Sequence, residues 1–252
     1  MLFYVRLLDV VELYFQPHWG AAGNLPSPSL RYRVSGTPSR HFYLWYGRVI
    51  WDTVNVVMRR FSTTHKSLIL DYGCGCGRMA RHININLYSY TGADTDRDAV
   101  NWCGKNLSRT DGIGKPQGRK AFLSTDSLHD INGIHGIHDI VLAVSVFSHI
   151  DFDAQANLLL SFHSMLKDKG IIILTVHGAV SAAHNFDDFA YEVYRDRGYA
   201  YKGSRFMRQY FSSSYHSKQY IEDNWLDIGF ELLEYNEGGL NRWQDIVVLR
   251  KI

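Results

Sequence analysis

Three glycines at alternate positions, Gly73, Gly75 and Gly77, follow an acidic residue, Asp71, at the end of the run Ser67-Leu68-Ile69-Leu70. Residues of these types in this order can hold a nucleoside. Glycine has no Cβ and enters left-handed backbone freely, so such a loop turns sharply and lets a ligand come close to the main chain. Asp71 narrows the choice of ligand. A dinucleotide site sets pyrophosphate at a helix N-terminus and spaces its glycines as G-x-G-x-x-G, whereas position 78 is Arg and a carboxylate stands beside the loop. That carboxylate would repel phosphate and favours a cationic ligand.

Presenting these residues requires a buried strand over 67–71 and, after the loop, a helix starting at Arg78-Met79-Ala80-Arg81. A second strand is expected over 88–96, rich in aromatic and β-branched residues and ending in acids, followed by a helix over 97–106. A carboxylate closing the second strand of a βαβ unit can accept hydrogen bonds from both hydroxyls of a ribose. Asp94 is the candidate for that role and Asp96 for the helix cap, the alternative being that both acids cap the helix. Further strands are expected at 120–124, 139–145 and 171–176. A helix begins at Asp151 or Asp153 and ends near Gly170, and Ser217 caps a last helix reaching Asp227. Segments 230–235 and 245–250 then read as a terminal strand pair. This alternation of strands and helices builds a parallel sheet.

Two segments fall outside that scheme. Residues 16–37, with Pro17, Pro26 and Pro28, read as an extended approach to a helix over 42–60 that packs over the ligand edge. Residues 177–214 make a long connection rich in aromatics, among them Phe186, Phe189, Tyr191, Tyr194, Tyr199, Tyr201, Phe206, Tyr210 and Phe211. So long a connection suits a cover over a substrate; the alternative is a small subdomain whose aromatics fill its own core. The division expected is an N-terminal extension at 1–60, a core formed by 61–176 and 215–252, and the insertion 177–214.

The balance of 27 basic and 25 acidic side chains gives a net charge of +2, and no Lys/Arg block of the kind that tracks nucleic acid is present. Residues 1–15 are apolar but broken by Arg6, Asp9 and Glu12, so neither a signal peptide nor a membrane span is expected. Of the three cysteines, Cys74 and Cys76 lie in one tight loop without zinc-site spacing. No metal, no disulfide and a cytoplasmic location are expected.

The strand and loop over 71–77, with Gly92-Ala93-Asp94, resemble the first two motifs of class I S-adenosylmethionine-dependent methyltransferases, and residues 142–149 resemble the family's fourth-strand motif. More narrowly, Leu25-Pro26, the segments 30–34, 175–178 and 215–217, and the run 244–250 are similar to uncharacterised bacterial small-molecule methyltransferases. The resemblance implies an α/β, Rossmann-like fold with a seven-stranded, mostly parallel sheet, helices on both faces and an antiparallel last strand. It implies S-adenosylmethionine as donor and S-adenosylhomocysteine as product. Asp71 would position the methionyl part, Gly73, Cys74, Gly75 and Gly77 admit it, and Asp94 and Thr95 meet the ribose. Asp126 and Ser127 would contact the adenine edge, and Ser145 would face the donor from the fourth strand. Base-modifying members carry an Asn/Asp-Pro-Pro-aromatic run where this chain has Ser145-Val146-Phe147-Ser148, so a small molecule is the expected acceptor rather than a flipped nucleobase.

Methyl transfer asks the protein to align the acceptor, exclude water and take a proton where the acceptor carries one. His149, beyond the fourth strand, is the first candidate base and His177, after the fifth, the second; each can instead hold backbone through its ring nitrogens. Tyr215 and His216 are candidate acceptor contacts. O-methylation is favoured over N-methylation; a non-catalytic module binding the same molecule and an aminopropyltransferase are the other readings.

Overall fold

The computed structural model describes residues 25–61, 66–108, 120–124, 135–185, 188–202 and 212–252. The chain opens with α1 (Pro28–Ser35) and α2 (Arg40–Phe61), followed by β1 (Ser67–Tyr72), β2 (Tyr88–Asp94) and α3 (Arg97–Asn106). Next come β3 (Lys120–Ser124), β4 (His138–Ala143), α4 (Phe152–Met165), β5 (Leu166–Val176), α5 (Ala179–Asn185) and α6 (Asp188–Arg197). The short strands β6 (Tyr199–Lys202) and β7 (Ser213–His216) precede α7 (Lys218–Trp225), β8 (Phe230–Leu240) and β9 (Gln244–Lys251). Seven strands form one sheet in the order β3-β2-β1-β4-β5-β9-β8, and β6 and β7 pair separately. β1 through β5 are parallel, and β9 runs antiparallel to both β5 and β8.

Alternation along the central strands divides the sheet's apolar side chains between two layers. Ile140, Leu142, Ile171, Ile173, Ile246 and Val248 point to one face, where α2 supplies Ile50, Trp51, Val54, Val57 and Met58. Val141, Ala143, Ile172, Leu174, Val247 and Leu249 point to the other, against Phe162 and Met165 of α4 and Ile221 and Trp225 of α7. Strands covered on both faces read as unbroken apolar runs, which is why β4 and β5 are evident in the sequence. The strand order reverses at β1, between β2 and β4, and open α/β sheets place ligands outside the carboxyl ends of the strands at such a point.

Several local expectations need correction. No α-helix follows the glycine loop: the chain turns through a 3-10 segment, Ala80–His82, and a turn in which Asn84 Oδ1 accepts from the Asn86 amide at 2.9 Å. Residues 28–35 are helical rather than extended, with Ser27 as N-cap and Pro28 at the first position, where its missing N–H costs nothing. Helix α4, capped by Asp151, ends at Met165 and not near Gly170, and the chain enters β5 through an irregular stretch containing Lys169 at φ 63°. β4 stops at Ala143, and the terminal pair is longer than expected. The β6/β7 ribbon lies in the stretch read as a cover, where its four-residue strands carry too little pattern to be recognised.

Candidate active site

A cavity of about 310 Å³ opens at the carboxyl ends of β1, β2 and β4. Of the residues singled out in the sequence, Asp71, Gly73, Cys74, Gly75, Asp94, Thr95 and Ser145 line it, together with His149. Gly77 does not. The glycine loop is set by backbone strain and by close neighbours. Gly73, Gly75 and Gly77 have φ of 79°, 53° and 73°, in the left-handed region that L side chains resist. A Cβ on each would fall 2.4 Å from Val146 Cγ2, 2.6 Å from Val34 Cγ1 and 2.3 Å from Leu107 Cδ1, respectively. The three positions thus abut the β4 loop, α1 and the end of α3.

Asp94 organises the loop. Its Oδ2 accepts from the Gly75 amide at 2.7 Å and its Oδ1 from the Asp96 amide at 2.8 Å. An ionised carboxylate has about four lone-pair sites, and with the Thr95 amide also directed at it one remains for a ligand. Burial raises the Asp94 pKa, with the Asp96 and Gly75 amides opposing. Asp96 caps α3 by accepting from the Asp98 and Ala99 amides. It also receives Arg33 of α1 at 3.1 Å, which ties α1 across this end of the cavity.

Asp71 is buried, its Oδ2 accepting from the Tyr90 hydroxyl at 2.6 Å. Burial pushes its pKa up to about 7, with the Tyr90 hydrogen bond pulling it back, the Asp94 charge adding and Arg78 opposing. Arg78 lines the same end of the cavity, one guanidinium N–H on Ser35 Oγ at 3.2 Å and the group 4.8 Å above the Tyr46 ring. α2 comes close enough for this because residue 47 is glycine, whose Cβ would meet the Arg78 carbonyl oxygen at 2.3 Å. A carboxylate beside a guanidinium matches the amino and carboxyl groups of a methionyl moiety, and the carboxylate pair Asp71 and Asp94 suits a cation. The residues present fit S-adenosylmethionine. Arg78 was legible only as the residue that breaks the dinucleotide spacing; its role follows from α2 and α1 packing against it.

At the β4 end, Ser145 has φ 58° and is held by an interlocked set of polar side chains. Its amide donates to Thr175 Oγ1 at 2.8 Å, and the hydroxyls of Ser145 and Thr175 both donate to Gln244 Oε1, at 3.0 and 2.8 Å. Gln244 Nε2 donates to His177 Nε2 at 3.4 Å. His177 is buried, and burial, then the neighbouring His149, lowers its pKa to about 4, which keeps it neutral. It packs between Tyr215, at 5.3 Å between ring centroids, and His149, at 6.0 Å, and does not line the cavity. His149 does line it and is exposed. Its Nδ1 lies 2.7 Å from the Ser212 carbonyl oxygen.

Tyr215 and His216 stand on β7, both fully covered and away from the cavity lining. His216 Nε2 meets Gln155 Oε1 at 3.0 Å, and burial drives its pKa down to about 3. Of the aromatic run in the insertion, Tyr191 and Tyr194 pack with Tyr215, and Tyr199 stacks on Tyr220 at 4.8 Å. Among the described residues, none of α5, α6 or β6 lines the cavity. Asp126, Ser127, Phe186, Phe206, Tyr210, Phe211 and residues 1–24 lie outside the described residues, and the side chain of Phe189 is not described. Among the described residues no group of three or more His, Cys, Asp or Glu can hold a metal ion, and all three cysteines are unpaired and buried. No helix among them is long and apolar enough to cross a membrane.

Residues 57–235 match a protein family described as a methyltransferase domain. No curated protein matches the chain. Among solved structures, it is similar to magnesium protoporphyrin IX methyltransferase from Synechocystis PCC 6803 with bound S-adenosylhomocysteine: 16% identity, TM-score 0.62, covering 96% of this chain and 99% of that one. It is also similar to 1,6-didemethyltoxoflavin-N1-methyltransferase from Burkholderia thailandensis: 14% identity, TM-score 0.56, covering 93% and 98%. A third similar structure is an S-adenosylmethionine-dependent methyltransferase from Methanosarcina mazei: 17% identity, TM-score 0.58, covering 78% and 97%. The glycine loop, its acidic partners and this family match agree: the chain belongs to the class I methyltransferases and uses S-adenosylmethionine as its methyl donor.

Proposed function

We propose that this methyltransferase modifies a small molecule at a nucleophile that carries a proton, a hydroxyl in preference to an amine. The observation that carries the reading is His149, an imidazole residue on the cavity that Asp71, Arg78 and Asp94 also line. The donor supplies a methyl group already activated by its sulfonium. Asp71 and Arg78 hold the methionyl amino and carboxyl groups, Asp94 the ribose hydroxyls, and Gly73 and Gly75 let the main chain lie against the ligand. Ser145 and Val146 form the wall at the β4 end. His149 takes the proton that a hydroxyl or amine must shed as its lone pair forms the new bond. Absence of a base would suffice for a carboxylate acceptor, and the placement of His149 favours the proton-bearing classes. The modest net charge of +2 supports a small molecule rather than a nucleic acid, and the three unpaired thiols suit a reducing compartment such as the cytoplasm.

The test is transfer of labelled methyl to panels of hydroxyl compounds, amines, carboxylic acids and nucleic acids. Label in a hydroxyl compound is expected, and His149→Gln should lower that turnover by about 10²–10⁴-fold, the usual contribution of a general base. Label confined to carboxylic acids or nucleic acid would overturn the reading.

A further inference from the structure

The end of the insertion is fastened to the loop that carries His149. His149 Nδ1 lies 2.7 Å from the Ser212 carbonyl oxygen, and Ser212 Oγ donates to the His149 carbonyl at 2.5 Å. The Ser214 amide donates to the Ser148 carbonyl at 2.9 Å, and the Ser214 hydroxyl to the carbonyl of Ile150. One strand further on, the His216 amide donates to the His177 carbonyl at 2.8 Å. A three-residue arm thus grips three consecutive residues of the β4 loop. Ser212 and Ser214 are both buried, so their hydroxyls are satisfied by these main-chain carbonyls.

A carbonyl oxygen can only accept, so the contact with Ser212 requires the proton of a neutral His149 ring to sit on Nδ1. Nε2 then carries the lone pair. Among the described residues no hydrogen-bond partner of Nε2 is present, and His149 is one of the residues that line the cavity. An imidazole whose tautomer is fixed by an acceptor on the far nitrogen is the arrangement that orients a base in acyl-transfer enzymes; here a main-chain carbonyl holds the place of the carboxylate.

We infer that Ser212 and Ser214 are positioning residues: the arm holds His149 in the Nδ1–H tautomer with Nε2 open as the proton acceptor. The inference rests on the reading of His149 as the base. In the step it serves, the acceptor's O–H or N–H bond breaks and its proton goes to Nε2. The freed electron pair bonds the methyl carbon, and the sulfur–carbon pair stays on sulfur. The insertion acts on the reaction through this arm without its described residues lining the cavity.

Magnetic resonance of protein carrying isotopically labelled histidine, with His149→Gln to assign the ring, reads the tautomer directly and needs no acceptor. At mildly alkaline pH a protonated Nδ1 and an unprotonated Nε2 are expected, in the free protein and with S-adenosylhomocysteine. An Nε2–H ring in the unaltered protein would overturn the inference. The double change Ser212→Ala and Ser214→Ala should let the Nε2–H form appear, hold S-adenosylhomocysteine affinity within about twofold on calorimetry, and lower turnover of an acceptor found by screening at least tenfold. An unchanged tautomer in a double variant that still binds S-adenosylhomocysteine would also overturn it. If the double variant does not fold, Ser214→Ala alone takes its place with the same expected directions. Should the Nδ1–H tautomer be found while His149→Gln keeps full turnover, the base reading fails and the arm's hold on the ring stands as a structural feature only.

Discussion

The two ends of the cavity are built in different ways. At the donor end the decisive contacts join residues close in the chain, the Gly75 amide to Asp94 and Tyr90 to Asp71, each 19 positions apart, and the loop itself is shaped by backbone conformation. At the acceptor end they span far more: 63 positions from His149 to Ser212, 69 from Thr175 to Gln244 and 99 from Ser145 to Gln244. The first end is built on β1, β2 and the loop between them, with α1 and α2 closing over it through Arg33 and Arg78. The second exists only when β4, β5, β7 and β9 have come together. Donor binding and acceptor chemistry therefore answer to different parts of the molecule, and substitutions can separate them.

Gly75→Val tests the donor end hardest. A left-handed φ costs an L residue about 1–2 kcal/mol and an overpacked side chain about 1–3 kcal/mol more, and Val34 already fills the space. Thermal unfolding should drop accordingly and binding of S-adenosylhomocysteine be lost. Normal binding would mean that the loop is not set by its backbone.

Asp94→Ala should weaken S-adenosylhomocysteine binding by about 1.5–3 kcal/mol, the scale of hydrogen bonds to a charged group. Because Asp94 also ties down the Gly75 and Asp96 amides, some loss of stability should accompany it. Calorimetry and denaturation on one sample separate the two effects.

Gln244→Leu sharpens the contrast from the other side. It strands the Ser145 and Thr175 hydroxyls at a cost of about 1–3 kcal/mol in stability. S-adenosylhomocysteine affinity should change little. A loss of affinity as large as that in Asp94→Ala would erase the division between the two ends.

A smaller effect is expected with pH. Asp71 ionises at about 7 in the folded protein against an ordinary 3.8. Its contribution to stability is therefore present below the ordinary value and is lost as pH rises through about 7. An ammonium-bearing ligand prefers the carboxylate, so affinity should rise several-fold over the same interval and then level off. Asp71→Asn should flatten the profile; an unchanged profile in that variant would assign the titration elsewhere. Smallest of all, Cys76→Ala should cost about 1 kcal/mol in stability, because its buried thiol makes only weak contacts, with the Leu30 carbonyl and the Tyr43 hydroxyl.

What could be read from the sequence follows the same division. Strands β1, β2, β4 and β5, the roles of Asp96, Asp151 and Ser217 as caps, and the cavity positions of Asp71, Gly75 and Asp94 all rest on apolar runs and short-range patterns. The helix expected after the glycine loop is absent because the chain reaches β2 through tight turns that the residues at 78–81 do not announce. Helix α1 was read as extended because its prolines suggested a linker, although Pro28 stands where a helix accepts one. Gln244, Thr175 and Ser212 give no sign of their partners, since Gln244 lies 69 positions from Thr175 and Ser212 63 from His149. His216 looked like a ligand contact from its place beside the last helix, and lies instead against Gln155 under Tyr199 and Trp225.

Each glycine of the loop faces a different neighbour: Val146, Val34 or Leu107. The alternating glycines are therefore needed to close the molecule even with nothing bound. A descendant of this chain that abandoned methyl transfer would still have to keep them, and would keep Asp94 for its hold on the Gly75 and Asp96 amides.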